Sequence, residues 1–583
     1  MPAWWDEWLG RREHEIDSFE RNGMAVDVDD TALDEGRLVL RTLIDVDGED
    51  IAIEVRYPDH YPWTRFVVYA PDLNLARHQN PFDSNLCVFP RASVHWHPRY
   101  LAGDIVAERV PELIRAVRAG GGVLRAAEEP QAEPYTDYFA YVPAGAVLVP
   151  AEVSAAAAAL DGGQFTIRMS GSADWVTGDG ATDLIPAGNG LLAELRRGQA
   201  QLAVAEKALL DAFPGPNVVG QWVRLASPPR GPQIREFMEG LAADAPAIVE
   251  PEGAAVHYIG VVFEEEVRQG EYADAWIFAA VRRNSSERPG PRDPRRAIER
   301  SGWLLRGARC SLEQMTERVP ELASLRSRSV SIVGIGSLGA PLAVELARGT
   351  VGALRLGDPD FVDPGTIVRW EGGLTSAGAN KALVLAQRLR RDHPYTRTEP
   401  HPLLVGNVAG DREDIDAWLA DADLVVDATA EDNVTAVIAH RAWQAGIPFL
   451  TFWSIEGAGG IVARLIPGET GCYHCLRLHT SAEEDPTIEM PRPYGAARVQ
   501  PRGCADPTFT ATSADLRPVV DQAVRVAFGE LCRGHDPAYP RHASDVQVLF
   551  LRNEDGSLRE PLYWTVHQLP VHPRCPLVHA AAD

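Results

Sequence analysis

The stretch SRSVSIVGIGSLGAPLAVELA at residues 327–347 decides the fold class of the C-terminal half of the chain. It opens with a continuous apolar run that is typical of a buried strand, and it ends in Ala- and Leu-rich text that predicts a helix. Between them, Gly334, Gly336 and Gly339 form the pattern G-x-G-x-x-G. Such glycines let the backbone turn sharply and approach a phosphate, whose charge the helix N-terminus favours. The stretch therefore predicts a nucleotide site in an α/β sheet.

The text downstream of this loop continues the alternation of strands and helices. Apolar runs at 422–429 and 447–453 predict further buried strands, and residues 380–391 predict a helix. This alternation is typical of a parallel α/β sheet. Asp358 and then Asp360 stand at the end of the next predicted strand, where an acidic side chain can hold ribose hydroxyls.

Three more charged residues bear on which nucleotide binds. NAD is the default ligand of such a loop, but NAD gives Arg369, Lys381 and Asp427 no role. Arginine and lysine can neutralise phosphate oxygens, and an aspartate at the end of a buried strand can hold Mg²⁺. A single cation on a helix is more often merely solvated. Their joint placement favours ATP with Mg²⁺.

Composition excludes several classes of protein. A chain of 583 residues predicts three or four domains, at roughly 100–200 residues each. Its 82 acidic and 56 basic side chains give a net charge of −26, which argues against non-specific binding of nucleic acid. Seven scattered cysteines argue against a disulfide framework. The acidic N-terminal text is unlike a signal peptide, and the interrupted apolar run at 144–160 is too weak to span a membrane, so we expect a cytoplasmic protein.

The N-terminal region, residues 1–135, predicts an α+β domain. Its predicted strands, the first two joined by the turn Asp47-Gly48, and its main predicted helix are at 37–46, 50–58, 65–70 and 104–117. The middle region, residues 136–320, carries no motif with evident chemistry. It predicts a helix over 190–213, strands at 256–263 and 274–283, and a Pro/Arg-rich connector at 285–296.

Residues 326–510 resemble the ThiF-like adenylation domain shared by ubiquitin-activating enzymes and the bacterial molybdopterin- and thiamin-pathway activators. The matching text comprises GIGSLG, GDPDFVDPGTIVRW, Lys381, VVDATAEDN, CYHC and GCADPTF. Ser337, Thr366 and Trp370 depart from the family's usual residues and are assigned no family role. The resemblance implies that a protein's C-terminal carboxylate attacks the α-phosphate of ATP, giving an acyl-adenylate and pyrophosphate.

The cysteines of this region divide into metal ligands and a nucleophile. Cys472 and Cys475 have the C-x-x-C spacing of half a zinc site, and the resemblance implies that His572 and Cys575 supply the other half. The alternative is a reduced, buried pair without a metal. Cys504 matches the family's acyl-accepting cysteine, and a helix predicted shortly after it could lower its pKa. A buried structural cysteine is the alternative.

The N-terminal region resembles a ubiquitin-conjugating domain. The text runs His78-Gln79-Asn80, then Cys87, then Trp96 and Pro98 before a helix. The resemblance implies that Cys87 carries a thioester and that Asn80 steadies the oxyanion when an amine attacks it. The usual tripeptide is His-Pro-Asn, and the spacing from Asn80 to Cys87 is one residue shorter than usual.

A chain with both regions resembles the fused conjugating–activating enzymes of bacterial antiphage operons, of the CBASS-associated type. The resemblance implies a multidomain fold with three parts. These are an α+β ubiquitin-conjugating-like domain (1–135), an inactive α/β adenylation-like domain (136–320), and a Rossmann-like α/β adenylation domain with a catalytic cysteine (321–583).

The resemblance also implies partners. The activated protein would be a cGAS-like nucleotidyltransferase or a ubiquitin-like protein, the target would bear an amine, and family members pair as homodimers. One alternative is a sulfur-carrier-protein adenylyltransferase or sulfurtransferase of cofactor biosynthesis, with a persulfide at Cys504, which leaves Cys87 without a role. Another is a non-enzymatic scaffold, which the retained site residues disfavour.

Overall fold

The computed structural model divides the chain into two compact units, which are described separately. The first comprises Met1–Val204 and Gly215–Ala308, and the second comprises Ala205–Pro214 and Arg309–Asp583. The structure describes residues 3–89, 96–119, 132–170, 175–177, 184–186, 189–245, 256–268, 270–282, 301–405, 411–457, 459–481, 486–493, 498–499, 508–577 and 579. None of the helices in these ranges combines the length and apolar content that a bilayer crossing requires.

The first unit opens with a five-stranded antiparallel meander whose strands follow chain order. The strands are β1 (Val26–Val28), β2 (Val39–Val46), β3 (Glu49–Arg56), β4 (Val67–Tyr69) and β5 (Asn85–Leu86). The helices are α1 (Trp4–Glu7), α2 (Leu9–Arg21), α3 (Asp30–Asp34) and α4 (Ala102–Arg118). The predicted α+β meander is confirmed, while its assignment as a ubiquitin-conjugating domain stays a prediction.

The turn between β2 and β3 forms where the Asp-Gly pair predicts it. Val46 pairs with Glu49, so the loop has only two residues. Asp47 and Gly48 both have positive φ, 59° and 88°. This is the backbone that two-residue hairpins need in order to match the twist of their strands.

A second sheet, of eight strands, fills the middle region. Its members are β6 (Tyr141–Pro150), β7 (Gly162–Met169), β10 (Gly190–Arg197), β11 (Ala200–Val204), β12 (Asn217–Arg224), β13 (Val256–Arg268), β14 (Glu271–Arg282) and β15 (Ser301–Cys310). Beside it lie α5 (Ala151–Ala157), α7 (Ile234–Asp244) and a hairpin of β8 (Trp175–Thr177) with β9 (Leu184–Pro186). The sheet order is β11-β10-β6-β15-β14-β13-β12-β7, and β7 also pairs with β10, which closes the sheet on itself.

This closed sheet corrects three expectations for the middle region. Its strands pair mostly antiparallel, with parallel pairs at β6–β10 and β12–β13, so it is not the expected α/β adenylation-like sheet. The helix predicted over 190–213 is instead β10, a tight turn at Gly198, β11 and the short helix α6 (Lys207–Ala212). The connector 285–296 lies outside the described residues. It joins β14 to β15, which are antiparallel neighbours, and not two domains.

The second unit is built on an eight-stranded sheet in the order β18-β17-β16-β19-β20-β21-β24-β25. The strands are β16 (Ser329–Val333), β17 (Ala353–Gly357), β18 (Arg397–His401), β19 (Leu424–Asp427), β20 (Phe449–Ile455), β21 (Gly459–Leu465), β24 (Val546–Arg552) and β25 (Leu558–His567), with a separate pair β22 (Arg498–Val499) and β23 (Thr508–Phe509). The first five pair in parallel and the last three antiparallel. The predicted parallel α/β fold is confirmed.

Helices cover this sheet through two separate cores. The helices are α8 (Leu312–Thr316), α9 (Gly339–Arg348), α10 (Lys381–Asp392), α11 (Asp411–Leu419), α12 (Asp432–Gln444), α13 (Tyr473–Thr480) and α14 (Ser513–Leu531). Buried side chains of α9, α10 and α14 share one core, and those of α11, α12 and α13 share the other. A sheet sandwiched in this way binds its ligands where the parallel strands end.

Candidate functional site

The glycine-rich loop joins β16 to α9 at the carboxyl edge of the parallel sheet. Gly334 has a φ of 85°, and a Cβ atom on it would lie 2.6 Å from the amide nitrogen of Thr429. A Cβ on Gly339 would lie 1.9 Å from the carbonyl oxygen of Gly334. A Cβ on Gly336 would meet no described atom within 4 Å. Two glycines therefore allow the loop to pack closely, and the third borders open space where a phosphate can approach the backbone.

Ile335, which lies between Gly334 and Gly336, makes hydrogen bonds through both its amide and its carbonyl. Trp370, to which the sequence assigned no role, is 8% exposed, and its indole N–H donates to the Ile335 carbonyl (2.9 Å). The Asp358 carboxylate accepts from the Ile335 amide (2.6 Å) and from the Asp360 amide (2.8 Å). Burial raises the pKa of Asp358, and Lys381 opposes that shift. Asp358 therefore stabilises the glycine loop through a buried hydrogen bond to its backbone.

Asp360 and Lys381 form an ion pair beside this loop. The Lys381 Nζ lies 2.9 Å from the Asp360 carboxylate, whose side chain is 68% exposed. Asn380 caps α10 and donates its side-chain amide to the carbonyls of Asp358 and Asp360, at 3.0 Å each. The structure thus brings together the predicted residues Asp358, Asp360 and Lys381. Asp360 is the carboxylate that is open to a ribose hydroxyl.

Arg369 lies at the edge of a cavity next to the glycine loop. It ends the short 3-10 helix Pro364–Arg369, and the cavity, of about 330 Å³, is also lined by Ser337 and Arg517. The Arg517 guanidinium is itself held by Glu345 at 3.0 Å and Glu371 at 3.1 Å. Two guanidinium groups beside a phosphate-binding loop suit an anionic ligand.

Asp427 occupies a different setting from the one expected of a Mg²⁺ ligand. It is 1% exposed, and its carboxylate accepts from the hydroxyls of Thr429 (2.7 Å), Thr435 (2.7 Å) and Thr451 (2.9 Å). Burial raises its pKa against these hydrogen bonds. The Asp427 carboxylate is thus buried and its oxygens tie β19 to β20 and α12, while its role as a Mg²⁺ ligand stays a prediction.

Asp432 is an acid at the same edge that sequence reasoning missed. It begins α12, just beyond the loop that packs against Gly334, and its side chain is 60% exposed. Its carboxylate accepts from the Tyr473 hydroxyl (2.8 Å) and pairs with Arg477. The text VVDATAEDN contains both aspartates, but Asp427 is buried and Asp432 is exposed. The first belongs to the strand and the second to the exposed helix start.

A cluster of four metal-type donors lies near the start of α13. Its members are Cys472, Cys475, Cys575 and His579, whose donor atoms all lie within 4.8 Å of one another. Cys472 Sγ is 3.8 Å from Cys475 Sγ and 3.7 Å from Cys575 Sγ. A tetrahedral Zn²⁺ with Zn–S bonds of about 2.3 Å places its sulfurs about 3.8 Å apart. The donor set therefore fits zinc in both ligand type and spacing.

His579, and not His572, is the fourth member of this cluster. The His579 Nε2 lies 3.5 Å from Cys475 Sγ and 3.3 Å from Cys575 Sγ. The ring of His572 packs against His479 instead (4.8 Å between centroids), and its backbone amide donates to Cys475 Sγ (3.3 Å). Hydrogen bonds from the Cys472 thiol and from this amide lower the pKa of Cys475.

We expect the purified chain to retain one zinc ion, bound by this cluster. His579→Ala should lose most of the metal and, because structural zinc sites contribute folding energy, unfold at a lower temperature. His572→Ala is the matched control and should keep its zinc. Metal content by inductively coupled plasma mass spectrometry checks this. Equal zinc in both variants would exclude His579 as a ligand.

Cys87 and Asn80 share one loop of the first unit. Cys87 directly follows β5, is exposed, and donates its amide to the His78 carbonyl (2.8 Å). The Asn80 side-chain oxygen accepts from the Phe82 amide (2.9 Å) and the Asp83 amide (3.4 Å). The oxygen of Asn80 thus caps a turn, which leaves its NH₂ group to stabilise an oxyanion. That role stays a prediction, and Cys504 lies outside the described residues.

The comparisons with known proteins agree with the geometry of the nucleotide site. Residues 312–514 match the ThiF family. The second unit is therefore a ThiF-family adenylyltransferase domain, as its glycine loop, Asp360 and Lys381 indicate.

Similarity to known proteins extends over nearly the whole chain. The uncharacterized protein y4oA of Sinorhizobium fredii is 30% identical over 605 residues, which cover 98% of this chain and 97% of y4oA. The chain therefore belongs to the same family as y4oA.

Two relatives with named activities match shorter parts. The ATP-dependent ubiquitin transferase-like protein Cap2 of Enterobacter hormaechei is 26% identical over 231 residues, which are 40% of this chain and 36% of Cap2. The sulfur carrier protein ThiS adenylyltransferase of Bacillus subtilis is 29% identical over 155 residues, or 26% of this chain and 44% of that protein.

Proposed function

We propose that the chain uses ATP to activate the C-terminal carboxylate of a partner protein and passes the acyl group through two cysteines to an amine, in the cytoplasm of a bacterium with antiphage defence. The observation that carries the proposal is one sheet edge in the second unit. There the glycine loop borders open space at Gly336, Asp360 pairs with Lys381 and is largely exposed, and the exposed Asp432 begins the helix just beyond the segment that packs against Gly334. The Cap2 likeness supports a ubiquitin-transferase-like outcome.

The first step joins the partner's carboxylate to AMP. A carboxylate oxygen attacks the α-phosphorus of ATP, a C–O–P linkage forms, and pyrophosphate leaves with the electron pair of the broken P–O bond. Lys381 and Arg369 would neutralise phosphate oxygens, and Asp360 would hold the ribose. Asp432 would hold Mg²⁺, which supplies positive charge to the triphosphate when it is bound.

The next steps move the acyl group without further ATP. The Cys504 thiolate attacks the acyl carbon and releases AMP, and the Cys87 thiolate then attacks the thioester and releases Cys504. An amine of the target finally attacks the Cys87 thioester, an amide forms, and the Cys87 thiol is regenerated. The activated protein is a cGAS-like nucleotidyltransferase or a ubiquitin-like protein.

The second unit also supports the expected homodimer. Three apolar side chains close to the nucleotide edge are largely exposed, at Phe361 (66%), Val368 (78%) and Leu374 (73%). A homodimer formed through this region would cover these side chains.

The direct test of the proposal is incubation of the chain with ATP, Mg²⁺ and the protein encoded by each neighbouring gene, followed by a non-reducing gel. Two adducts that dithiothreitol removes support the proposal. The ThiS adenylyltransferase likeness favours a second candidate, activation of a sulfur carrier, which predicts an adenylated carrier, no adduct at Cys87, and a persulfide at Cys504 only when a protein persulfide is added as the sulfur donor.

Substitution of Asp432 should weaken nucleotide binding, whereas substitution of Asp427 should lower the stability of the fold. Asp432→Asn should weaken Mg²⁺-dependent binding of a fluorescent ATP analogue roughly 10-fold, the effect of losing about 1.4 kcal/mol of charge stabilisation, with little change in melting temperature. Asp427→Ala should instead cost about 1–3 kcal/mol of stability, because three buried hydroxyls lose their acceptor. Equal melting temperatures, with the binding defect confined to Asp427→Ala, would return the Mg²⁺ role to Asp427.

A further inference from the structure

The loop that carries Cys87 is held from outside its own meander. It contacts the segment 133–139 and strand β13 of the closed sheet, all within the first unit. Three contacts hold residues 77–87: one with Glu133, one with Glu266 and one with aromatic residues of the segment 133–139.

The first contact fixes the backbone next to Cys87. His78 has a φ of 61°, which is uncommon for a residue with a side chain. The two Glu133 carboxylate oxygens lie 2.9 and 2.7 Å from the His78 amide nitrogen, and one lies 2.7 Å from its ring Nδ1. The carbonyl of His78 in turn accepts the Cys87 amide (2.8 Å). One carboxylate is therefore linked to the backbone of Cys87 through a single intervening residue.

The second contact anchors Glu133 to the closed sheet. Glu266 of β13 accepts the Glu133 amide (3.1 Å) and also pairs with Arg77, where the two side chains are 8% and 18% exposed. Its neighbour Glu265 accepts from the amide (2.9 Å) and the hydroxyl (3.1 Å) of Thr136. The segment that carries Glu133 is thus attached to a strand in two places.

The third contact is aromatic. Phe82 lies between Asn80 and Cys87 in the sequence, and its ring centroid is 5.3 Å from those of Tyr135 and Phe139. The segment 133–139 therefore faces the part of the loop that holds the thiol.

We infer that Glu133 is a positioning residue for Cys87, and that the closed sheet of the middle region serves the conjugating step by holding the loop 77–87 through Glu133 and Glu266. The functional part of this inference rests on the proposed thioester at Cys87. The inference assigns the middle region, which has no nucleotide motif, a role in positioning Cys87.

Hydrogen exchange of the full chain, followed by mass spectrometry, tests the positioning directly. Glu133→Ala removes the acceptor of the His78 amide, so peptides spanning 76–88 should exchange roughly 10-fold faster. Glu133→Gln keeps one acceptor oxygen and should show a smaller increase, of about 3-fold. The control is Asp274→Ala, which breaks the bidentate pair of Asp274 with Arg224 (2.7 and 2.6 Å) elsewhere in the same sheet, and should leave these peptides unchanged.

The chemical consequence is measured as discharge of the loaded Cys87 thioester to free lysine. We expect the discharge rate to fall roughly 10-fold in Glu133→Ala and to be largely restored in Glu133→Gln. Asp274→Ala should keep the rate of the unsubstituted chain. Unchanged exchange of peptides 76–88 in both Glu133 variants would overturn the inference, whatever Cys87 does. If the unsubstituted chain never loads Cys87, the proposed function fails, and the exchange comparison still decides the positioning.

Discussion

Replacing Cys504 with alanine should remove both thioester adducts, at Cys504 and at Cys87, while ATP–pyrophosphate exchange continues. The adenylate forms from a carboxylate and ATP at the glycine loop, so that step needs no thiol. Cys87 belongs to the first unit, whereas the described nucleotide-site residues lie in the second. Exchange between two thioesters is close to neutral in energy, so geometry must set the order of the relay.

The matched variant for this experiment is Cys87→Ala. It should retain a single adduct at Cys504 and yield no amide product. Non-reducing gels and peptide mapping of the adducts read out both variants. Loading of Cys87 in the Cys504→Ala chain would show that Cys87 takes the acyl group directly from AMP, and the two-cysteine order would then be wrong.

The second large effect is expected at Gly339. Gly339→Ala places a methyl group where a Cβ would lie 1.9 Å from the Gly334 carbonyl oxygen. The loop must move to admit it, at a cost of about 1–3 kcal/mol of stability. Because the displaced backbone is the surface that approaches phosphate, binding of a fluorescent ATP analogue should fall roughly 100-fold or more.

Two other glycines serve as controls for that substitution. Gly336→Ala meets no described atom within 4 Å, so it should leave the melting temperature unchanged and weaken nucleotide binding by occupying the open side of the loop. Gly373→Ala is equally unobstructed and lies outside the loop, so it should change neither quantity. Normal nucleotide binding by Gly339→Ala would mean that this loop is not the phosphate site.

The strongest local patterns in the sequence predicted the fold where local and tertiary preferences agree. The run from Ser329 through Gly339 reads as strand, turn and helix at every position, and that is the structure it forms. Asp47-Gly48 likewise predicted a two-residue turn, because few other pairs adopt positive φ twice in succession.

In the middle region the strands predicted at 256–263 and 274–283 are confirmed within β13 and β14, but the helix predicted over 190–213 is wrong because pairing between strands outweighed helix propensity. Residues 190–197 are rich in Leu, Ala, Glu and Arg, which favour helices. In the structure Leu191, Leu192 and Leu195 are fully buried in a strand that has partners on both sides. Gly198, with a φ of 60°, was the one local signal of the turn.

The candidate site residues also divide into those that local motifs predicted and those that depend on tertiary contacts. Motifs and joint placement selected Asp360, Lys381 and the C-x-x-C pair. The structure pairs Asp360 with Lys381 and groups Cys472 and Cys475 with Cys575, and their functional roles stay predictions. Spacing could not rank Asp427 against Asp432, or His572 against His579. Burial decides the first choice, and a short turn that directs the His572 ring onto His479 decides the second. Both depend on contacts between residues that are distant in the sequence.

The activation of a protein's terminal carboxylate by ATP is tested most directly by ATP–pyrophosphate exchange. The full chain is incubated with each neighbouring-gene protein, supplied either intact or with its C-terminal carboxylate converted to an amide. We expect exchange with one intact protein and none with its amidated form. Exchange that is indifferent to the terminal carboxylate, or tight NADH binding without any exchange, would contradict it.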